Sequence, residues 1–128
     1  MNRRSGRPKD IQEVILDVAD QVQRRLGVRT TIDEYESRFV EEIDARGVQV
    51  SRRQATTLSL NGTPVETYLA DVLLENEIVV EFKRMPAITR TDIMRFARFM
   101  RAQGLRKGLI INLSAPDLDY RQLDLSDD

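Results

Sequence analysis

The run Asp71-Val72-Leu73-Leu74-Glu75-Asn76-Glu77-Ile78-Val79-Val80-Glu81-Phe82-Lys83 decides how this chain folds. Two apolar stretches flank the polar turn Glu75-Asn76-Glu77, which reads as an antiparallel hairpin. Side chains alternate along a strand, so Glu81 and Lys83 project to one face and Phe82 to the other. With a three-residue turn, Asp71 pairs opposite Glu81. Their Cβ atoms then lie about 4.5–5.5 Å apart, where like charges repel. A divalent cation between the carboxylates relieves that repulsion, and Lys83 adds a positive charge beside it. Such an ion polarises a phosphodiester and lowers the pKa of a bound water, while Lys83 orients the water or stabilises charge on the phosphoryl group. The same residues also admit a purely structural reading: a diagonal Asp71–Lys83 salt bridge on a solvated face, with Glu81 exposed. Composition favours the chemical one. The chain has three lysines (Lys9, Lys83, Lys107) against seventeen arginines, and an ammonium is a compact point charge that arginine replaces poorly.

Outward from the hairpin, the patterning alternates between helical and strand periods. From Lys9 the positions Ile11, Val14, Ile15, Val18, Ala19, Val22 and Leu26 trace one face of a helix closed by Gly27. Thr31 and Glu34 have capping-box spacing, and Ile32, Tyr35, Phe39 and Ile43 continue as a second helix ending at Gly47. Val48 to Leu60 reads as an extended, bulged strand, and Asn61-Gly62 as a hairpin turn into a return strand over residues 63–74. A third strand is expected over Glu77–Arg84, stopped by Pro86. Thr89 or Thr91 caps a third helix with Ile93, Phe96, Ala97 and Met100 inward and Gly104 at its end. Leu109-Ile110-Ile111-Asn112-Leu113 is a strand covered on both faces, and a last short strand falls at Gln122–Leu125. The order ααβββαβ(β) is that of an α/β protein with a mixed sheet.

Length and composition set the frame. A chain of 128 residues suits one domain, here residues 9–125, with a flexible basic arm at 1–8 and an acidic tail at 126–128. A hydrophobic share of 41% with 32% charged residues places it among globular proteins. There is no apolar run of membrane-spanning length and no secretory signal, so the expectation is a cytoplasmic protein that does not enter a membrane. Cysteine and histidine are both absent, which excludes disulfides, thiolate or imidazole metal sites and Ser-His-Asp catalysis. A catalytic metal must therefore take oxygen ligands, which selects Mg²⁺ or Mn²⁺. The net charge of −1 hides a basic arm (Arg3, Arg4, Arg7, Lys9) and a basic second half (Arg84, Arg90, Arg95, Arg98, Arg101, Arg106, Lys107). Such stretches attract phosphates, or simply form solvated faces.

From Asp10 to Leu125 the chain resembles the small bacterial GxxExxY family, a branch of the PD-(D/E)XK nuclease superfamily. The likeness runs through Arg25-Leu26-Gly27, Ala45-Arg46-Gly47, Tyr68-Leu69-Ala70-Asp71-Val72, Ile78-Val79-Val80-Glu81-Phe82-Lys83 and Gly108-Leu109-Ile110-Ile111-Asn112. It implies a restriction-endonuclease-like core with Asp71, Glu81 and Lys83 in the motif positions. It further implies a metal held by Asp71, Glu81 and the Phe82 carbonyl, and a nucleic-acid substrate, DNA ahead of RNA. Two positions depart from the family pattern. Its naming motif falls on Arg29, Ile32 and Tyr35, of which only Tyr35 is retained, with Glu36 one helical turn past Ile32 as a substitute carboxylate or an ordinary helix residue. The glutamine that usually opens the last core helix is Arg95, which either contacts phosphate or marks a site no longer tuned for cleavage. Alternatives are thus a catalytically degenerate binding or regulatory module on the same fold, and an oligomer assembled through Tyr35, Phe39 or Phe99. A homodimer is compatible with all of these readings.

Overall fold

The computed structural model describes residues 10–125, apart from the side chains of residues 53–58, 60 and 65–70. The basic arm expected at 1–8 and the acidic tail at 126–128 lie outside the described residues. Helix α1 (Ile11–Leu26) turns Ile15, Val18, Ala19 and Val22 into the core and ends at Gly27, whose φ of 72° is one that glycine adopts without strain. Helix α2 (Ile32–Ala45) starts at the expected capping box. The Thr31 hydroxyl accepts the Glu34 N–H at 3.0 Å, and the Glu34 carboxylate accepts the Thr31 N–H at 3.0 Å.

Strands β1 (Val50–Leu60) and β2 (Thr63–Leu74) are joined by Asn61 and Gly62, both at positive φ, with a register shift between Leu58 and Ser59 in the strand that was expected to be bulged. Strand β3 (Ile78–Lys83) is one residue shorter at each end than the expected Glu77–Arg84. Glu77 is spent closing the turn onto the Leu74 carbonyl, and Arg84 leaves the sheet to hold the carbonyls of Val28 and Thr30. Helix α3 (Arg90–Ala102) begins at Thr89, and β4 (Lys107–Asn112) follows. Strand β5 (Asp119–Asp124) starts three residues before the expected Gln122. Its half-exposed edge position gave no apolar signal there, and pairing with β4 (Asn112↔Asp119) supplies the extension.

The five strands lie in the order β1-β2-β3-β4-β5, antiparallel except for β3–β4, which are parallel and connected through α3. Helices α1 and α2 cover one face with Val72, Leu74, Ile78, Val80, Phe82, Leu109 and Ile111. Helix α3 covers the other, with Phe96, Phe99 and Met100 against Val79 and Ile110. Gly108 lets α3 come close, since a Cβ there would lie 2.9 Å from Met100 Sδ and from the Phe96 ring. This mixed α/β architecture, with three helices and a five-stranded sheet among the described residues, fits the restriction-endonuclease-like class. Tyr35, Phe39 and Phe99, read above as an assembly surface, are 0%, 0% and 3% exposed. Their aromatic rings serve the cores. No described helix is long and apolar enough to cross a membrane.

Candidate active site

The alternation along β3 sorts its side chains between the two layers. Ile78, Val80 and Phe82 enter the α1/α2 core and Val79 the α3 core, so Glu81 and Lys83 face α3. On β2, Val72 pairs with Val80 and shares its core. The next residue, Asp71, therefore lies on the face of Glu81 and Lys83, and its carboxylate accepts the Phe82 N–H at 2.8 Å. Three candidate residues from two adjoining strands thus lie on the same face of the sheet.

Burial distinguishes this from a solvated polar face. Glu81 is 2% exposed, and a carboxylate is withdrawn from water at a cost of several kcal/mol unless a positive charge compensates it. Lys83 supplies part of that compensation, its Nζ lying 3.5 Å from Glu81 Oε1. The Lys83 side chain is a third exposed, so it is open to a ligand from solvent. Phe82 faces away from both, packed on Tyr35 and Phe39 with ring centroids 5.4 and 5.1 Å distant.

Helix α3 adds two side chains. Arg95 and Asp92 join Glu81, Lys83, Phe96 and Ile110 around a recess of 20 Å³, room for about one water or small ion. Asp92 closes the cap of α3, accepting the Thr89 N–H and hydroxyl at 2.8 Å each. Those bonds hold its carboxyl below the ordinary carboxylate range, and the charges of Lys83 and Arg95 act in the same direction. Sequence reading overlooked Asp92, although the Thr-x-x-Asp spacing from Thr89 marked it as a cap. Asn112 is also brought here: β3 and β4 align Lys83 with Asn112, and Asn112 in turn aligns with Asp119 on β5. A polar residue inside Leu109-Ile110-Ile111-Asn112-Leu113 was the available signal.

Tyr35 and Glu36 are placed elsewhere. The Tyr35 hydroxyl donates to the Ala19 carbonyl at 2.8 Å within the α1/α2 layer, and burial pushes its ionisation up. Glu36, fully buried, takes the Arg52 guanidinium at 2.8 and 2.9 Å. Arg52 aligns with Val72 on the α1/α2 side of the sheet, so Glu36 is separated from Glu81 by the sheet itself. Among the described residues no group of three His, Cys, Asp or Glu side chains is placed to hold a metal.

The chemistry available is that of hard oxygen donors, the carboxylates of Asp71 and Glu81 with backbone carbonyls, beside a lysine and an arginine. That donor set suits a hard divalent cation. A family model described as the PD-(D/E)XK nuclease superfamily matches residues 9–123. No curated protein and no solved structure matches the chain.

Proposed function

Since the chain belongs to the PD-(D/E)XK nuclease superfamily, we propose that it hydrolyses phosphodiester bonds in a nucleic acid, DNA ahead of RNA, with the help of Mg²⁺ or Mn²⁺. The observation carrying this reading is the buried Glu81 beside Asp71 and Lys83 on the α3 face. Asp71, Glu81 and the Phe82 carbonyl would hold the cation, which when bound supplies Lewis-acid polarisation and a more acidic water. Lys83 orients the attacking water or neutralises charge on the phosphoryl oxygens. Arg95, exposed beside the recess, binds a neighbouring phosphate. Within the superfamily we assign the chain to the GxxExxY branch, with residues 9–125 as its single domain.

The exposed face of α3 supports the substrate class. Arg90, Arg95, Arg98 and Arg101 are exposed on the helix that covers the site, and Arg95 lines the recess beside Glu81. The second reading, a non-cleaving binding or regulatory module, draws on the separation of Glu36 from Glu81 and on arginine at position 95. Metal-dependent cleavage of plasmid and single-stranded substrates decides between them, comparing wild type with Asp71→Ala and Lys83→Ala. Cleavage by wild type alone supports the nuclease. Equal activity in all three proteins removes these residues from the chemistry, and no cleavage with retained Mn²⁺ and DNA binding favours the module.

A further inference from the structure

Asn112 is 1% exposed and follows the buried apolar run Leu109-Ile110-Ile111 of β4. Its side-chain amide has two donor hydrogens and an acceptor oxygen with two lone pairs, and all are used. Oδ1 accepts the Met85 N–H at 3.2 Å and the Ser114 N–H at 3.1 Å. Nδ2 donates to the Met85 carbonyl at 2.9 Å and to Asp119 Oδ2 at 3.1 Å. The amide thereby pairs with Met85 as another strand would, at the point where β3 has already ended. The residues just before Met85 are held as well: the Lys83 carbonyl accepts the Leu113 N–H at 2.8 Å, and Arg84 grips the α1–α2 connection.

We propose that Asn112 is a positioning residue for Lys83, locking the β3 exit through Met85 and tying it to β4 and β5 so that the ammonium stays beside Glu81. This rests on the reading of Lys83 given above. An apolar residue would fill the strand without the cost of burying an amide, so the four hydrogen bonds point to a demand for geometry at Met85 rather than for packing. Displacing a reacting group by about 1 Å costs on the order of 100-fold in rate, so a loosened exit loop should be felt in turnover.

The test uses Asn112→Ser and the isosteric Asn112→Asp, which retains the acceptor oxygen but lacks the Nδ2 donors. Three quantities are read: kcat against KM for the cleavage reaction, hydrogen exchange at the Met85 amide, and ¹³Cε relaxation of Lys83, resolved among only three lysines. We expect kcat to fall at least about tenfold with KM within about twofold, the signature of lost transition-state positioning. Met85 should lose protection in Asn112→Ser and keep part of it in Asn112→Asp, and Lys83 should become mobile in both. The exchange and relaxation measurements are made without metal and do not depend on cleavage. If Lys83→Ala abolishes cleavage while Asn112→Ser keeps its turnover and a rigid Lys83, the positioning role is overturned and the Lys83 reading stands. If Lys83→Ala cleaves normally, the Lys83 reading fails and takes this one with it. Unfolding of both Asn112 variants would make the residue a stability element and also overturn the assignment.

Discussion

The Asp71 carboxylate accepts the backbone N–H of Phe82 at 2.8 Å, so the residue between Glu81 and Lys83 anchors their partner on the neighbouring strand. Phe82 is itself fixed by Tyr35 and Phe39, which couples the α1/α2 core to the site on the opposite face. Asp71→Asn keeps an acceptor for that N–H, whereas Asp71→Ala orphans a buried donor at a cost of about 1–3 kcal/mol. We expect Asp71→Asn to melt close to wild type and Asp71→Ala to melt lower, with calorimetric Mn²⁺ binding lost in both. Unchanged Mn²⁺ affinity in Asp71→Asn would remove Asp71 from the metal site.

Glu81 is held out of water beside Asp71, with the partly exposed Lys83 as a counter-ion. Sites of this kind trade stability for function. Glu81→Gln, with the same shape and no charge, should raise stability by about 1 kcal/mol in chelator while weakening Mn²⁺ binding. Thermal melts with and without Mn²⁺ check both signs. A lower melting temperature in chelator would mean that the ion pair with Lys83 is a net stabiliser and that Glu81 needs no metal to account for it.

Most of the fold could be read from the sequence because its signals were local. The caps at Thr31 and Thr89, the Asn61-Gly62 turn and the alternation in Ile78–Lys83 each act within a few residues. Features set by contacts distant in the chain were not legible. Arg84 leaves β3 because carbonyls of the α1–α2 connection reach it, and β5 begins at Asp119 because β4 pairs with it. The same divide runs through the site. Asp71, Glu81 and Lys83 lie on one hairpin, whereas Asn112, Asp119 and Asp92 arrive from three other elements. The placement of Glu36 depended on Arg52, sixteen residues on, which no helical periodicity could reveal.

The Glu36–Arg52 pair should respond asymmetrically. Arg52 is 40% exposed in its side chain and Glu36 is 0%, so the arginine can turn to solvent when its partner goes, but the glutamate cannot. Arg52→Met should destabilise by about 2–4 kcal/mol and Glu36→Gln by less than about half of that. Urea denaturation measures the difference. If Glu36 belongs to the scaffold, Glu36→Gln should also cleave normally; loss of turnover with an unchanged urea midpoint would return it to the chemistry.

The capping boxes give an acid limb to stability. Hydrogen bonds from Thr89 and from Thr31 hold the carboxyls of Asp92 and Glu34 below their ordinary values of 3.8 and 4.5. A group with a lowered folded-state pKa contributes fully above its unfolded value and loses that contribution as pH falls through the folded one. The first turns of α2 and α3 should therefore be insensitive to pH above about 5 and fray below about 4. Amide exchange at Glu34 and Asp92 reads this directly, and Asp92→Asn should remove the limb for α3 alone. An acid limb on α3 that persists in Asp92→Asn would assign the effect to another carboxylate.

The arginines of α3 make the substrate class measurable without any cleavage. A helix rises about 1.5 Å per residue, so Arg90 to Arg101 span about 16 Å, enough to follow several phosphates. Each phosphate contact releases counter-ions, and the slope of log affinity against log salt changes by about 0.9 per contact on duplex DNA and about 0.7 on a single strand. The double variant Arg98→Gln/Arg101→Gln should therefore flatten the slope by about 1.8 on duplex or about 1.4 on single-stranded DNA, with affinity falling alike for all sequences. Arg24→Gln is the control, since Arg24 lies at the end of α1 on the other layer, paired with Asp20 at 3.0 Å. Equal slopes in the α3 double variant and wild type would show that nucleic acid does not lie along α3. A slope that flattened equally in Arg24→Gln would reduce the effect to net charge, because only contact with phosphates makes position matter.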